Sequence, residues 1–86
     1  MATEKEIKYS PEVFENLVIS QKNKLYKTGM AILKNDEDTC DAIQETLISA
    51  YKNFENLNNI EYFNTWITRI LINKCRDIIR KNSLYK

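Results

Sequence analysis

Three arginines, one amide and two aromatic side chains recur at helical spacing near the end of the sequence. If residues 62–80 form an α-helix that turns about 100° per residue, these six side chains fall in one stripe. The stripe consists of Tyr62, Trp66, Arg69, Asn73, Arg76 and Arg80. Aromatic rings stack on nucleobases, arginines pair with phosphates, and an amide hydrogen-bonds to a base edge. The pattern is typical of a surface that binds nucleic acid.

The opposite side of the same helix is apolar. It carries Phe63, Ile67, Ile70, Leu71, Cys75 and Ile78. Arginines opposite an apolar face also occur on an ordinary solvated helix, and the stripe alone leaves that interpretation open. Two features favour binding. Tyr62 and Trp66 fall on the polar stripe, where a purely structural aromatic is not expected. The charge is also uneven: residues 1–59 carry seven Lys and Arg against ten Asp and Glu, whereas residues 60–86 carry six against two.

Length and composition limit the remaining possibilities. Eighty-six residues allow one domain, and no apolar run approaches the length of about 20 that crosses a bilayer, so no membrane insertion is expected. With Gly29 as its one glycine, the sequence has no phosphate-binding Gly-rich loop. It has no histidine and two cysteines, which argues against a general base and a zinc site. We therefore expect no catalysis, no metal and no cofactor. Cys40 and Cys75 either form a disulfide or remain two small buried thiols. A reducing cytoplasm favours the buried thiols.

The elements that position the stripe are all predicted to be helical. The predicted fold is all-α, a compact bundle of three to four helices. The predicted order is a flexible lead-in at 1–9, a helix from Ser10-Pro11, a break or kink at 20–24, and helices over about 25–33, 37–54 and 62–80, with a connecting loop at 55–61. The domain is expected to occupy residues 10–82. Within the second helix, Gly29 disfavours helix formation but allows a neighbouring helix to approach closely.

The helix at 37–54 has two faces at helical spacing. Its predicted inward face is Cys40, Ile43, Leu47, Ala50, Tyr51 and Phe54. Its other face is Asp41, Gln44, Glu45, Ile48 and Lys52. A solvent-exposed face is the default interpretation of such charges. Because Ile48 is a β-branched apolar residue beside an acid and an amide, we instead predict a small protein-docking patch there.

The order and spacing of these segments resemble region 2 of bacterial sigma factors, in the extracytoplasmic-function branch. The resemblance covers roughly residues 12–82. The matching segments are Leu25-Tyr26 through Leu33, Asp38-x-x-Asp41-x-x-Gln44-Glu45-x-x-Ile48-x-Ala50-Tyr51, Phe63-x-Thr65-Trp66-Ile67-x-Arg69-Ile70-x-x-Asn73, and Arg76-Asp77-x-x-Arg80.

The resemblance implies three roles and a set of partners. The middle helix docks on the clamp coiled coil of the β′ subunit of core RNA polymerase, through Asp41, Gln44, Glu45 and Ile48. The following loop captures a base flipped out of the promoter −10 element, a role that falls on Leu57, Asn58, Asn59, Ile60 and Tyr62. The last helix lines the path of the melted non-template strand, through Trp66, Arg69, Asn73, Arg76 and Arg80. An anti-sigma factor and a cytoplasmic location are implied as well.

The sequence departs from the family pattern in two places. Many relatives have a basic, glycine-containing loop where this chain has residues 58–61, and Glu61 is a poor neighbour for phosphate, which affects the expected base preference. The family also has a second helical domain that reads the −35 element. Residues 83–86 fall where the linker to that domain would begin, so we expect either an excised fragment or a natural truncation.

Two other functions are compatible with a small helical domain. The first is a purely protein-binding module that uses the face around Asp41, Gln44 and Ile48 and leaves the arginines dispensable. The second is a helix-turn-helix regulator that binds duplex DNA. Against the second, the loop at 55–61 is longer than the turn of that motif and lacks its glycine.

Overall fold

The structure, a computed structural model, describes residues 2–84, and this part of the chain contains helices and no strand. Its elements are α1 (Glu4–Lys8), α2 (Pro11–Leu33), α3 (Asp36–Asn53), two 3-10 turns (Phe54–Asn56 and Ile60–Tyr62) and α4 (Phe63–Leu84). The three long helices, α2, α3 and α4, each pack against the other two. The predicted all-α bundle is confirmed.

The start of α2 and the turn into α3 follow from local chemistry. Ser10 Oγ accepts a hydrogen bond from the Val13 amide at 3.3 Å, and Pro11 occupies the first helical position. At the other end of α2, Lys34 adopts a left-handed conformation with φ of 65°, which reverses the chain. Asn35 Oδ1 then caps α3 by accepting from the Asp38 amide at 2.8 Å.

Of the break or kink predicted at residues 20–24, the break is wrong, because α2 runs through that segment without interruption. The segment is polar on all sides, but it contains neither glycine nor proline, and Gln and Lys are good helix formers. Ser20 Oγ donates to the Leu17 carbonyl at 2.7 Å, so its hydroxyl bonds back to its own helix. Phe14 and Leu25, both buried, hold the helix to the bundle on either side of the polar run. Tertiary packing therefore outweighs the missing amphipathic pattern.

One end of the bundle is closed by aromatic rings. Phe14 of α2 lies edge-on to Phe54 at 5.1 Å and to Phe63 at 5.9 Å between ring centroids. Phe54 and Phe63 are also 5.9 Å apart. At the other end, the amide of Asn82 on α4 donates to Asp38 on α3 at 3.3 Å. These contacts show that α4 runs parallel to α2 and antiparallel to α3.

The inward face of α3 differs from the prediction. Its buried residues are Thr39, Ala42, Thr46 and Ala50, which are small. Of the residues predicted inside, Ala50 and Phe54 are buried, Ile43 and Leu47 are half-buried, and Cys40 and Tyr51 are exposed. The small residues form the buried line of α3 between α2 and α4, and the larger apolar residues lie on the flanks of that line. Each buried threonine hydroxyl donates to a carbonyl of the preceding turn at 2.7 Å.

The close helix approach predicted at Gly29 is confirmed. A Cβ atom on this glycine would lie 2.7 Å from Cγ2 of Thr39. Since real Cβ atoms need about 3.5–4.0 Å to another carbon, a side chain does not fit without movement of α2 or α3.

The two ends of the described chain are helical. In the lead-in predicted as flexible, Glu4–Lys8 forms α1, whose first turn is capped by Thr3 Oγ1 accepting from the Glu6 amide at 3.1 Å. Of the predicted linker start at 83–86, Ser83 and Leu84 continue α4, whereas residues 85 and 86, like residue 1, lie outside the described residues. None of the helices described here combines the length and apolarity needed to cross a bilayer.

Candidate nucleic-acid interface

The helix α4 has the predicted register. Phe63, Ile67, Leu71 and Cys75 are buried, and Ile70 and Ile78 are half-buried beside them. On the outward side, the four polar members of the stripe are all exposed: Arg69, Asn73, Arg76 and Arg80. The separation of α4 into an apolar and a polar side is therefore confirmed.

The two aromatic members of the stripe behave differently. Tyr62 is 65% exposed at the end of the second 3-10 turn, so its ring is available for stacking. Trp66 is half-buried, and its ring packs on Phe63 with 5.8 Å between centroids. The expectation that Trp66 is a surface aromatic is only partly right. One part of the ring belongs to the core and the remainder borders the stripe, because an indole is too large to be accommodated wholly on either side.

The stripe forms one wall of a groove between α2 and α4. The groove has a volume of about 530 Å³ and is lined by Lys24, Thr65, Thr68, Arg69, Ile72, Asn73 and Arg76. Lys24 supplies a cation from the opposite helix. Thr68 Oγ1 lies buried in the groove lining and has no hydrogen-bond partner among the described residues. The groove therefore combines cationic walls with an uncharged group able to donate or accept a hydrogen bond.

The cations of this groove are not neutralised within the described part of the chain. The ion pairs found between residues 2 and 84 join Lys5 to Glu55 and Arg80 to Asp77, each at 3.8 Å and each exposed. Lys24, Arg69 and Arg76 have no carboxylate partner there. Unpaired guanidinium and ammonium groups on one surface are suited to phosphate oxygens, which they bind through charge-assisted hydrogen bonds.

The loop that precedes α4 contains both exposed and buried residues. Asn58 and Asn59 are exposed and Ile60 is half-buried. The side-chain oxygen of Asn59 accepts from the Glu61 amide at 3.0 Å, which leaves its NH₂ group for other contacts. Leu57 is 7% exposed and lies in the core. A DNA contact by Leu57 stays a prediction, and in this structure its side chain anchors the loop to the core.

The four residues predicted to dock a protein partner lie together on α3. Asp41, Gln44, Glu45 and Ile48 are all exposed, Ile48 at 56%. Asp41, Gln44 and Glu45 border the groove that α3 forms with α4. No residue of α3 lines the groove between α2 and α4. The predicted docking face and the basic groove are thus on different sides of the bundle.

The sigma-70 region 2 profile matches residues 17–85, which include the α3 face, the loop and the α4 stripe. The chain belongs to the sigma-70 region 2 family. It is 34% identical over 70 residues to the ECF RNA polymerase sigma factor SigW of Bacillus subtilis (strain 168), covering 81% of this chain and 37% of SigW. It is 28% identical over 64 residues to the RNA polymerase sigma factor SigV of the same organism, covering 74% of this chain and 39% of SigV.

The region 2 chain therefore spans less than half the length of these two sigma factors. No solved structure matches it significantly. The family match begins inside α2, so α1 and Tyr9 lie outside it.

Sequence reasoning missed five residues that the structure places at or beside the candidate interface. Lys24, Thr65, Thr68 and Ile72 line the groove, and Tyr9 reaches the loop. Lys24 was not assigned to the stripe, because a break or kink was predicted at 20–24. Continuing the helical period through that segment would have placed Lys24 one turn after Gln21 and on the side of α2 opposite Tyr26. No local signal identifies Tyr9, since its partner is 48 residues away.

Proposed function

We propose that this chain is the part of a transcription initiation sigma factor that binds the promoter −10 element as single-stranded DNA while it docks on core RNA polymerase. The observation that carries the proposal is the groove between α2 and α4, where unpaired cations surround uncharged hydrogen-bonding groups. Membership in the sigma-70 region 2 family supports the same function.

The groove suits the backbone of a single strand. Lys24, Arg69 and Arg76 contact phosphates, and Arg80 extends the same line of charge toward the end of α4. Arg80 contributes less, because its guanidinium is 3.8 Å from the Asp77 carboxylate. These contacts are insensitive to sequence and hold the non-template strand along α4.

Base selection falls on uncharged groups around the strand. Asn58 and Asn59 on the loop and Asn73 on α4 are exposed amides able to read the edge of an unstacked base. Tyr62 offers an exposed ring for stacking, which contributes about 1–3 kcal/mol per base. This gain offsets the cost of unstacking a base from the duplex, which is a few kcal/mol. Binding energy thus opens the strand, and no cofactor or catalytic group is needed.

The α3 face is proposed to dock on the clamp coiled coil of the β′ subunit. Ile48 supplies an exposed apolar centre, and Asp41, Gln44 and Glu45 surround it with acceptors for basic and polar groups. Since this face lies away from the α2–α4 groove, polymerase and DNA can be bound together. An anti-sigma factor and a cytoplasmic location belong to the same proposal.

The test measures the two surfaces separately. Fluorescence anisotropy with short single-stranded oligonucleotides of varied sequence, at two salt concentrations, reports DNA binding. Pull-down with core polymerase reports docking. We expect Asn73→Ala and Arg76→Ala to lower oligonucleotide affinity by about 5- to 100-fold and to leave polymerase binding near normal. Asp41→Ala and Gln44→Ala should do the reverse.

The four variants are also controls for one another, because each is an exposed side chain on the same bundle. Retention of both activities in all four would show that the two surfaces are wrongly assigned. Polymerase binding without any base-selective DNA binding would instead identify the chain as a protein-interaction module.

A further inference from the structure

The segment before α2 touches the loop that precedes α4, although the family match does not include this segment. The Tyr9 hydroxyl donates to the Leu57 carbonyl at 2.5 Å. The Tyr9 ring lies edge-on to Phe54 with 5.1 Å between centroids. Lys5 on α1 lies 3.8 Å from the Glu55 carboxylate. The three contacts fall on three residues within a four-residue stretch.

The hydrogen bond from Tyr9 is better protected from water than the Lys5–Glu55 ion pair. It is part-buried, whereas the Lys5–Glu55 pair is exposed and contributes little. The Leu57 amide donates to the Phe54 carbonyl at 3.1 Å. Both polar backbone groups of Leu57 are therefore bonded, one of them by Tyr9. With its side chain in the core, Leu57 is a fixed point from which Asn58 and Asn59 extend.

The far end of the loop is fixed as well. The Tyr62 amide donates to the Asn59 carbonyl at 3.0 Å, and the Glu61 amide donates to the Asn59 side chain at the same distance. Only Asn58 lies between the fixed points at Leu57 and Asn59. Loss of the hydrogen bond at Leu57 would give this stretch more conformations, and binding that depends on amide geometry would weaken accordingly.

We propose that Tyr9 is a positioning residue, which holds the Leu57 backbone and thereby orients Asn58 and Asn59 toward a captured base. The inference rests on the proposed function of the loop. Phosphate contacts along α4 do not depend on this hydrogen bond. Its loss should therefore change discrimination between bases, whereas the salt-dependent affinity common to all oligonucleotides should be unaffected.

The test variant is Tyr9→Phe, which keeps the ring against Phe54 and removes the hydroxyl. The matched control is Tyr26→Phe, which removes a hydroxyl that donates to Asp36 at 2.6 Å, in the turn between α2 and α3. The readout is the dissociation constant of a single-base variant oligonucleotide divided by that of the preferred oligonucleotide. We expect this ratio to fall by about two- to tenfold in Tyr9→Phe, as the loss of one hydrogen bond implies. In Tyr26→Phe it should not change.

Amide hydrogen exchange, measured by NMR without DNA, provides a second readout. Exchange at residues 57–59 should accelerate in Tyr9→Phe and remain unchanged in the middle of α4. If the parent chain discriminates between bases and Tyr9→Phe discriminates equally well, the positioning role is wrong while the proposed function stands. If the parent chain does not discriminate, the proposed function fails. In that case amide exchange alone tests whether Tyr9 restrains the loop. Unchanged exchange at residues 57–59 in Tyr9→Phe would show that it does not.

Discussion

The helices α3 and α4 lie side by side and differ in the size and polarity of the residues that they bury and expose. α4 buries large apolar side chains, such as Ile67 and Leu71, and exposes cations. α3 buries threonines and alanines, and it exposes acids together with Ile48 at 56% and Tyr51 at 54%. α4 places its largest apolar side chains in the core and exposes Ile79 and Leu84 toward its C-terminal end, whereas α3 exposes apolar residues within its predicted docking face and beside it.

The difference follows from the size of the residues at the helix contacts and indicates two kinds of surface. At one contact of α3, Gly29 of α2 lies directly against Thr39. Small residues at such contacts bring the helices together, and large residues at the flanks remain accessible to a partner. Arginines and an amide occupy the stripe of α4, and the exposed apolar residues of this helix, Ile79 and Leu84, lie toward its C-terminal end. Its charge and amides are suited to a polyanion, while the α3 face is suited to a protein.

The largest expected effect compares one isoleucine from each helix. Ile67→Ala removes a fully buried side chain, so we expect a loss of about 2–5 kcal/mol in the free energy of unfolding. Ile48→Ala is the same change on the exposed α3 face and should alter stability by about 0.5 kcal/mol or less. Urea unfolding followed by circular dichroism measures both. Equal destabilisation by the two changes would contradict the distinction between a core helix and a docking helix.

A smaller effect is expected where α2 approaches α3. Gly29→Ala gains helix propensity but places a Cβ against the buried Thr39 methyl group, and Thr39 is held by a hydrogen bond to the Asn35 carbonyl. We expect overpacking to outweigh the propensity gain and to lower stability by about 1–3 kcal/mol.

The double variant Gly29→Ala with Thr39→Ser separates the two terms. Serine retains the hydroxyl and removes the methyl group that the new Cβ would meet. The double variant should therefore be more stable than Gly29→Ala alone in the same urea experiment. If Gly29→Ala were stabilising, the close approach of α2 and α3 would not limit packing at this position.

How well the sequence predicted each helix depended on the size of its buried residues. α4 was predicted correctly because Phe63, Ile67 and Leu71 are large and recur at helical spacing. The inward face of α3 was predicted only in part, because Thr39 and Thr46 are polar by type and their burial becomes favourable only once each hydroxyl bonds within the helix. Hydrophobic periodicity cannot identify a face built from small residues, since its signal comes from large ones.

The candidate site was predictable where it lies on a single helix. The positions of Arg69, Asn73 and Arg76 follow from the period of α4. Lys24 could not be assigned to the same groove, because that requires knowing that α2 is continuous and parallel to α4. The burial of Leu57 and the reach of Tyr9 are likewise properties of the packed bundle and not of either local segment.

The smallest expected effect tests whether the basic surface extends from α4 to α2. Lys24→Ala removes one cation from the groove wall opposite Arg69 and Arg76. The matched control is Lys22→Ala, which removes the same charge from the side of α2 that faces α3. If Lys24 contacts one phosphate, its removal should reduce the slope of log affinity against log salt by about 0.7, the value for one phosphate of a single strand.

Base discrimination should be the same in both lysine variants, because a phosphate contact carries no sequence information. Anisotropy titrations of one oligonucleotide at several salt concentrations measure the slope. An equal slope for Lys24→Ala and Lys22→Ala would confine the phosphate contacts to α4. A lower slope for Lys24→Ala alone would establish that two helices hold the strand, in contrast to the proposed docking face, which lies on α3 alone.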